Sequence, residues 1–477
     1  MSTSSHRAGG YSAAYRRVVA LLLTAAYAFN ATDRSIIAFV GQAMKLDLKL
    51  TDTQLGLLGG TAFGLFYALG GIPIARLAER FNRVNIITAA MVAWSALCAS
   101  CGIASAFPQL LCIRAGVGIA ESGCTPPAHS LISDYYAPEE RTSVLSVYTC
   151  GISVGYLLAA VVGGYVAQRW GWRAACASVG LPGIAVAVLI KQVIREPARG
   201  HSERVPQEAP SAAPFSLRRE ARALMEVAGL MIAKPEVRHM VLGVTIGGFA
   251  AYGFYYFVPS FFSRAFGLNY AASGVLAGIA GGVAVGLGIV AGGALADALA
   301  KHDRRWYALV PAAGAGIAVP LFALAVMARD WRVSVAALSA AGFCFYTSLG
   351  PTFGVVQNSV GVRQRATATA LLYICLNVFA LGCGPLFAGW TMDRLGDLHL
   401  REAPMSAQAA GEAVSFKRTC PGGTAPAGSG AELAALCKAT LVRSTREGLL
   451  VTLIFFAWGG LHYFAASFGL ARNAPRP

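Results

Sequence analysis

Long apolar stretches separated by short polar breaks run along the whole chain. Each stretch has about 20 residues or more, the length that a helix needs to cross the hydrocarbon core of a bilayer. The first six stretches cover roughly residues 15–40, 53–75, 85–107, 109–133, 142–167 and 174–194. The second six cover roughly residues 239–263, 270–298, 306–328, 333–357, 366–392 and 447–470. The pattern predicts an all-α membrane protein with twelve transmembrane helices in two pseudo-symmetric six-helix bundles.

A long polar region, residues 195–238, follows the first group of six stretches. It starts with a proline-rich segment, which cannot form a packed core. We therefore predict an N-terminal bundle over residues 1–194, a cytoplasmic linker over 195–238 and a C-terminal bundle over 239–477. The last part of the linker, 216–233, is predicted to be an amphipathic helix that lies on the membrane surface. Its basic side has Arg218, Arg219 and Arg222, and its apolar side has Leu224, Val227 and Leu230.

A second long polar region, 393–446, lies between the last two apolar stretches. Clusters of Pro, Gly and Ala predict an irregular periplasmic loop with one short helix at about 432–442. Of the eleven cysteines, nine fall in predicted spans, where a free thiol behaves as a small apolar group. The other two, Cys420 and Cys437, share this loop, which faces an oxidising compartment if the topology is right. We predict a disulfide between them.

Charged residues are scarce and unevenly placed. They make up 13% of the chain, about half of the usual share in a soluble domain, which excludes a soluble monomer. The net charge is +16, but the basic residues lie in the breaks between spans rather than on one soluble face, so no nucleic-acid partner is expected. Because most of them lie on the side of the N-terminus, both termini are predicted to be cytoplasmic, in a multi-pass protein of the cell's inner membrane. The predominance of Arg over Lys is typical of a bacterial sequence.

The two halves of the chain share landmarks. Residues 75–80 match 293–298, and Pro127 and Arg141 recur about half a chain later as Pro351 and Arg365. Such repeats are typical of secondary transporters. Here the chain resembles the major facilitator superfamily over nearly its whole length.

The loop after the second span carries part of that resemblance. Residues 77–83 resemble the superfamily's cytoplasmic signature, with Ala75, Glu79 and Asn82 in place of its first Gly, its Asp and its second Gly. A carboxylate at a span end can interact with a helix N-terminus or an arginine and hold an inner gate closed. The predicted gating residues are Glu79, Arg80, Arg83 and Asp297. For the two arginines, a purely topological role is an equal alternative.

Within the superfamily the chain most resembles the spinster-like transporters. The segments that carry this resemblance are 30–34, 52–56, 114–121 and 303–307. Eukaryotic members are associated with lysophospholipids and sphingosine phosphates, so the resemblance implies an amphipathic, lysolipid- or sphingoid-like substrate. Glycines of the fifth span, from Gly151 to Gly164, resemble a motif of proton-coupled exporters, although Tyr156 replaces its usual proline.

Four charged residues lie inside predicted spans: Asp33, Arg34, Arg114 and Glu121. A charge at mid-bilayer costs about 2.5–3.5 kcal/mol, so these charges should be paired. Arg114 and Glu121 are seven residues apart and share a helix face. If the first and fourth spans pack as in relatives, Arg34 reaches Glu121, and Asp33 faces Arg114 or the cavity.

These four residues are the predicted proton-coupling site. Burial favours the neutral form of the two carboxyl groups, and the arginines favour the charged form. Protonation of Asp33 or Glu121 would free an arginine and shift the balance between inward-open and outward-open states. The alternative is a static ion-pair network that only fixes packing, which is the role we expect of Arg114.

Candidate substrate contacts are polar or aromatic groups in spans that face each other. They are Asn30, Arg34, Glu121, Tyr252, Tyr256, Tyr346, Tyr373 and Asn377. Their rings suit an amphipathic tail, and Arg34 suits an anionic head. The alternative is that the aromatic residues face lipid or pack against neighbours.

No motif for enzymatic chemistry fits its context. None of the seven lysines follows a glycine, so a phosphate-binding Gly-Lys-Ser/Thr loop is absent and ATP hydrolysis is excluded. The histidines lack metal-ligand spacing, so no cofactor or metal is expected. The sequence predicts a monomeric, proton-coupled exporter whose partners are membrane lipids, protons and its substrate. Two alternatives stay open: a uniporter or importer of a small organic anion, and a transporter-like sensor that moves no ligand.

Overall fold

The structure is a computed structural model, and it describes residues 11–202, 217–361, 364–403 and 415–472. Within these ranges every regular element is a helix, so the expected all-α fold is confirmed. Nine continuous helical stretches of this described part are long and apolar enough to cross a membrane. The longest of them, Ser143–Val193, covers two predicted spans.

Helices occupy all twelve predicted spans, and we number them α1–α12. The N-terminal half has α1 (Ala13–Leu48), α2 (Asp52–Arg80), α3 (Arg83–Ile103), α4 (107–135), α5 (138–170) and α6 (172–193). The C-terminal half has α7 (Pro235–Phe266), α8 (Tyr270–Ala300), α9 (Trp306–Met327), α10 (Trp331–Asn358), α11 (365–402) and α12 (Ala431–Arg472). A further helix, Leu217–Ala233, precedes α7 and is called the linker helix. Residues 203–216 of the linker lie outside the described ranges.

The boundary between α5 and α6 is a single residue. Gly171 has a φ of +84°, a conformation that favours glycine, and it turns the chain sharply. The next two residues fasten the turn to the end of α1: Trp172 Nε1 donates to Asp47 Oδ2 at 3.0 Å, and Arg173 pairs with the same carboxylate. The polar break in the hydropathy pattern is therefore a corner of the bundle.

Glycines allow close packing inside the N-terminal half. A methyl group placed on Gly155 of α5 would lie 2.2 Å from the carbonyl oxygen of Ala28 in α1. Helices in membranes approach through such small residues, because lipid offers no hydrophobic drive for their association. The glycine motif of the fifth span thus has a packing function in this fold.

The apolar cores show how the two halves meet. One core joins residues of both halves at the end of the molecule remote from the termini, for example Val40 and Leu55 with Phe257 and Phe261. Toward the termini the core divides. One part belongs to the N-terminal half, apart from Leu381, and the other lies within the linker helix and C-terminal half. The halves are therefore joined at the remote end and separate at the terminal end.

The loop between α11 and α12, at the end of the molecule remote from the termini, is more helical than the sequence predicts. α11 continues to Glu402. α12 begins at Ala431, because the Ala- and Leu-rich segment after residue 430 favours a helix although it is too polar for a span. Residues 404–414 lie outside the described ranges. Residues 415–430, which we call the cap, lie between the two helices. A disulfide joins Cys420 of the cap to Cys437 of α12.

Candidate functional site

Helices α1 and α4 bring an arginine and a glutamate together at the middle of the N-terminal half. Arg34 Nε and Nη2 both lie 3.4 Å from Oε2 of Glu121. Asn30, one turn earlier on α1, accepts a hydrogen bond from Arg34 at 3.1 Å and donates to the backbone oxygen of Glu121 at 3.4 Å. The side chain of Glu121 is 0% exposed, whereas that of Arg34 is 27% exposed. The pair thus has one buried member and one accessible member.

The second pair of charges differs from the expectation. Asp33 and Arg114 are both 0% exposed, but Arg114 donates to the backbone oxygens of Asp33 (3.3 Å) and Leu58 (3.4 Å) instead of to the Asp33 carboxyl group. Neither carboxyl oxygen of Asp33 has a hydrogen-bond partner among the described residues. Cys98 and Glu121 lie close enough to interact with this carboxyl group. Seven-residue spacing predicts a shared helix face, but it cannot determine which way the long Arg114 side chain turns.

Aromatic rings of α2 lie beneath the two arginines. The guanidinium of Arg34 lies 5.0 Å from the ring centres of Phe63 and Tyr67, and that of Arg114 lies 5.3 Å from Phe63. Cation–π contacts of this kind stabilise a desolvated cation by about 2 kcal/mol. Neither ring was predicted from the sequence, because aromatic residues are common in spans, and the four-residue spacing that places both on one helix face is the one signal that distinguishes them.

The exposure of side chains from both halves indicates an open space beside Arg34. Tyr252 of α7 is 36% exposed and lies within electrostatic range of Arg34 and Tyr67. Tyr373 of α11 is 52% exposed and lies within range of Tyr252 and Tyr67. We call the space that these side chains line the central cavity. Since the halves separate at the terminal end, the cavity opens toward the termini.

The other predicted substrate contacts have different positions. Tyr346 of α10 is half-buried, with its ring centre 6.2 Å from that of Tyr255 and within electrostatic range of Tyr252. Asn377 lies in a widened turn of α11 and is half-buried. Tyr256 is half-buried at the contact between the halves, where its hydroxyl donates to the Leu55 carbonyl at 2.7 Å.

The predicted gating residues do not meet across the two halves in this conformation. Glu79 pairs with Arg76 of its own helix at 2.8 Å, and Arg80 is exposed. Asp297 is also exposed and accepts a hydrogen bond from Tyr307 at 3.1 Å.

Arg83 is the gating candidate with the most extensive contacts. It is buried and binds Asp134 of α4 (2.5 Å) and Glu196 at the start of the linker (2.7 Å). Arg83 therefore fastens the start of the linker to α4 in the separated terminal end.

Four charged residues from the breaks between the predicted spans form a largely buried network at the remote end. Asp52 binds Lys45 (2.7 Å) of its own half and Arg264 (2.6 Å) of α7. The side chains of these three residues are 1% or 2% exposed. Asp393 of α11 accepts hydrogen bonds from the backbone amides of Asp52 (3.0 Å) and Thr53 (2.8 Å). We call Lys45, Asp52, Arg264 and Asp393 the remote network.

The remote network lies where backbones of the two halves almost touch. A methyl group on Gly56 would lie 2.1 Å from the carbonyl oxygen of Pro385, and one on Gly389 would lie 2.1 Å from that of Asp52. All hydrogen bonds between the halves that the structure describes lie in this remote part of the molecule. The two halves are therefore closed against each other at the remote end and open at the terminal end. Among the described residues no three His, Cys, Asp or Glu side chains are placed to hold a metal ion.

Comparison with known proteins agrees with this architecture. The family model described as Major Facilitator Superfamily matches residues 23–385. An "MFS-type efflux pump" of Mycolicibacterium smegmatis is 30% identical over 385 residues, which cover 81% of this chain and 85% of that protein. "Protein spinster" of Drosophila melanogaster is 30% identical over 177 residues, 36% of this chain and 29% of that protein.

A solved structure shares the whole fold. The crystal structure of a bacterial homologue of the human lysosomal transporter spinster, described as inward-facing and unoccupied, has a TM-score of 0.82 and 29% sequence identity. The match covers 98% of this chain and 100% of that one.

Proposed function

Because this chain belongs to the major facilitator superfamily and is a spinster-like multi-pass membrane transporter, we propose that it exports an amphipathic small molecule in exchange for protons. The halves move by alternating access, opening the central cavity first to one side and then to the other. The positive-inside distribution of basic residues supports a cytoplasmic terminal end, in the inner membrane of a bacterium. On that orientation the structure corresponds to the inward-open state of a monomeric carrier.

The observation that carries the proposal is the contact between Arg34 and Glu121. Glu121 is fully buried, and its one described side-chain partner is the cavity-lining Arg34. A proton on Glu121 removes the countercharge of Arg34, and the contacts that the described residues then leave to the guanidinium are Asn30 and the rings of Phe63 and Tyr67. The two protonation states therefore stabilise the cavity wall differently, and a difference of this kind lets a proton bias one conformation.

Asp33 is the second proton site of the proposal. Its carboxyl group is buried next to Glu121 without a hydrogen-bond partner in the described ranges, so the charged form has no directly bonded group to offset the cost of burial. Exposure to the opposite compartment would relieve that cost. Asp33 would then release its proton when the carrier opens to that compartment.

The cavity supports an amphipathic substrate. The rings of Tyr67, Tyr252 and Tyr373 offer apolar faces with hydroxyl edges, and Arg34 offers a positive charge for an anionic head. A lysolipid- or sphingoid-like molecule has both parts. The efflux pump among the relatives supports export as the direction.

Flux through liposomes across an imposed pH gradient tests the proposal, with a fluorescent lysophospholipid as the probe. We expect wild-type flux to follow the gradient, and Asp33→Asn and Glu121→Gln to lose that dependence. Glu140→Gln is the matched control, since Glu140 is an exposed carboxyl group that pairs with Arg16 at the terminal surface. Full gradient-driven flux in both Asp33→Asn and Glu121→Gln would contradict proton coupling.

The same assay separates the alternatives. The accessible Arg34 also suits a small organic anion, and a uniporter of that kind gives anion flux that is indifferent to the pH gradient. A transporter-like sensor binds ligand without any flux.

A further inference from the structure

The cap belongs to one half of the molecule but lies against the other. Its Gly422 reaches the last turn of α1, where a methyl group would lie 3.0 Å from the carbonyl oxygen of Lys45 and 3.4 Å from the Cα of Lys49. Lys49 itself has a φ of +53°, and its backbone N–H donates a hydrogen bond to the same Lys45 carbonyl, which ends the helix. The cap thus contacts the backbone of α1 where the helix ends.

Three kinds of contact fix the cap to the C-terminal half. The disulfide links Cys420 to α12, and the Phe416 amide donates to Asp397 of α11 at 2.7 Å. The Phe416 ring packs in a small apolar cluster with Leu400 and Leu441, separate from the larger cores. These contacts stay within one half, so the cap moves with α11 and α12 when the halves move apart.

The contact with α1 lies directly over the remote network. The backbone carbonyl oxygen of Lys45 faces Gly422. The side-chain ammonium group of Lys45 binds Asp52, and Asp52 also binds Arg264. The remote end cannot open unless Asp52 leaves Arg264, and Lys45 cannot move with the N-terminal half unless it leaves the cap. Both events separate α1 and α2 from the C-terminal half.

We propose that the cap is a latch that stabilises the closed remote end, and that the disulfide keeps the latch rigid. The proposal rests on alternating access as proposed above. A rigid cap contacts α1 only in the closed state, so it lowers the free energy of that state relative to the open one. Reduction of the disulfide leaves the cap flexible and weakens this preference.

Three cap glycines provide a matched test, because all have positive φ values: +72° at Gly422, +89° at Gly423 and +84° at Gly428. Alanine causes backbone strain at each of them. Only at Gly422 does the new methyl group meet α1; at Gly423 it meets Leu441 of its own half, 2.8 Å away, and at Gly428 it meets nothing within 4 Å. Gly422→Ala tests the latch, and Gly423→Ala and Gly428→Ala control for strain.

The readout is the distance between maleimide-linked spin labels on the two halves at the remote end, in lipid nanodiscs without substrate. Exposed Ser105 and Arg329 are suitable positions once they are changed to Cys, in a background with Ser at the exposed Cys112, Cys150 and Cys383. We expect Gly422→Ala to raise the ratio of open to closed distances about fivefold, the effect of losing about 1 kcal/mol. The two control variants should keep the background ratio.

A second variant tests the latch without touching Gly422. Replacing both Cys420 and Cys437 by Ser should shift the ratio in the same direction. An unchanged ratio in Gly422→Ala and in the double serine variant overturns the latch, as does an equal shift in Gly428→Ala. Because the distances are measured without substrate or gradient, a carrier that fails the flux assay but shows these shifts refutes proton-coupled export and leaves the latch standing.

Discussion

Glu121 and Asp33 show how differently two carboxyl groups can be held in one buried cluster. Glu121 has an arginine and an asparagine in contact, whereas Asp33 has only weak or indirect neighbours. Removing one partner of a buried hydrogen bond leaves the other group unsatisfied, which lowers stability more than changing a group that had no partner. The two residues should therefore respond differently to neutralisation.

We expect Glu121→Gln to lower the thermal unfolding temperature and Asp33→Asn to leave it unchanged or raise it. Glu121→Gln leaves Arg34 without its countercharge, at a cost of about 1.5–3 kcal/mol for a charged hydrogen bond. Asp33→Asn removes a carboxyl group that has no described partner to lose. Melting curves of the purified variants in one detergent give the comparison, with Glu140→Gln as the surface control. A larger loss of stability in Asp33→Asn than in Glu121→Gln would show that Asp33 has a strong partner.

At the scale of single residues, the sequence predicts which charged residues lie within spans but not which side chains contact them. Asp33, Arg34, Arg114 and Glu121 are recognisable because charges in apolar spans are expensive. The ring of Phe63 beneath both arginines is one aromatic residue among many and becomes informative only when the helices are placed.

At the scale of helices, glycines determine where the two halves can touch. Gly56 of α2 meets the Pro385 backbone of α11, and backbone atoms cannot move aside as a flexible side chain can. At Gly71, on the same helix, an added methyl group would meet no atom within 4 Å. The same residue type therefore has different importance at two places on one helix.

We expect Gly56→Ala to destabilise the closed remote end, whereas Gly71→Ala should not. The added methyl group would lie 2.1 Å from the Pro385 oxygen, so α2 and α11 must separate. Amide hydrogen exchange of residues 382–393 should become faster in Gly56→Ala only. Equal exchange in both variants would show that α2 tolerates the methyl group without separating from α11.

The hydropathy pattern predicts every span but not the ends of the last two helices. The pattern stops where charged residues begin, at about residue 392 in α11 and 447 in α12, yet the helices extend to Glu402 and back to Ala431. Helix propensity and membrane hydropathy are separate properties, so a polar extension of a helix can be predicted only from helix propensity. The breaks within spans were missed too, for example at Gly60 of α2.

At the scale of the whole molecule, one end is joined and the other is divided. The remote network, the shared apolar core and the backbone contacts of α2 with α11 all lie at one end. None of these could be predicted from the sequence, because Arg264 and Asp393 are far from Lys45 and Asp52 in the chain, and all four look like ordinary loop charges. Of the four, only Asp52 lies in a segment, 52–56, that carries the family resemblance.

We expect a cysteine at Tyr252 to react with a membrane-impermeant maleimide from the terminal side only. Tyr252 lines a cavity that opens toward the termini, and the remote network closes the other side. The measurement uses oriented membrane vesicles and the background with Ser at Cys112, Cys150 and Cys383. Ser105→Cys, exposed at the remote end, is the control that should react from the opposite side. Equal labelling of Tyr252→Cys from both sides would mean that the closed state is a minor one.

The length of α12 has a practical consequence for imaging the transport cycle. With 42 residues the helix is about 63 Å long, roughly twice the thickness of the hydrocarbon core, so its first turns project beyond the membrane. The disulfide braces this projection. An antibody fragment raised against the projecting turns would follow the rotation of the C-terminal half without blocking the cavity, and it would give a small, featureless membrane protein a visible marker in electron micrographs.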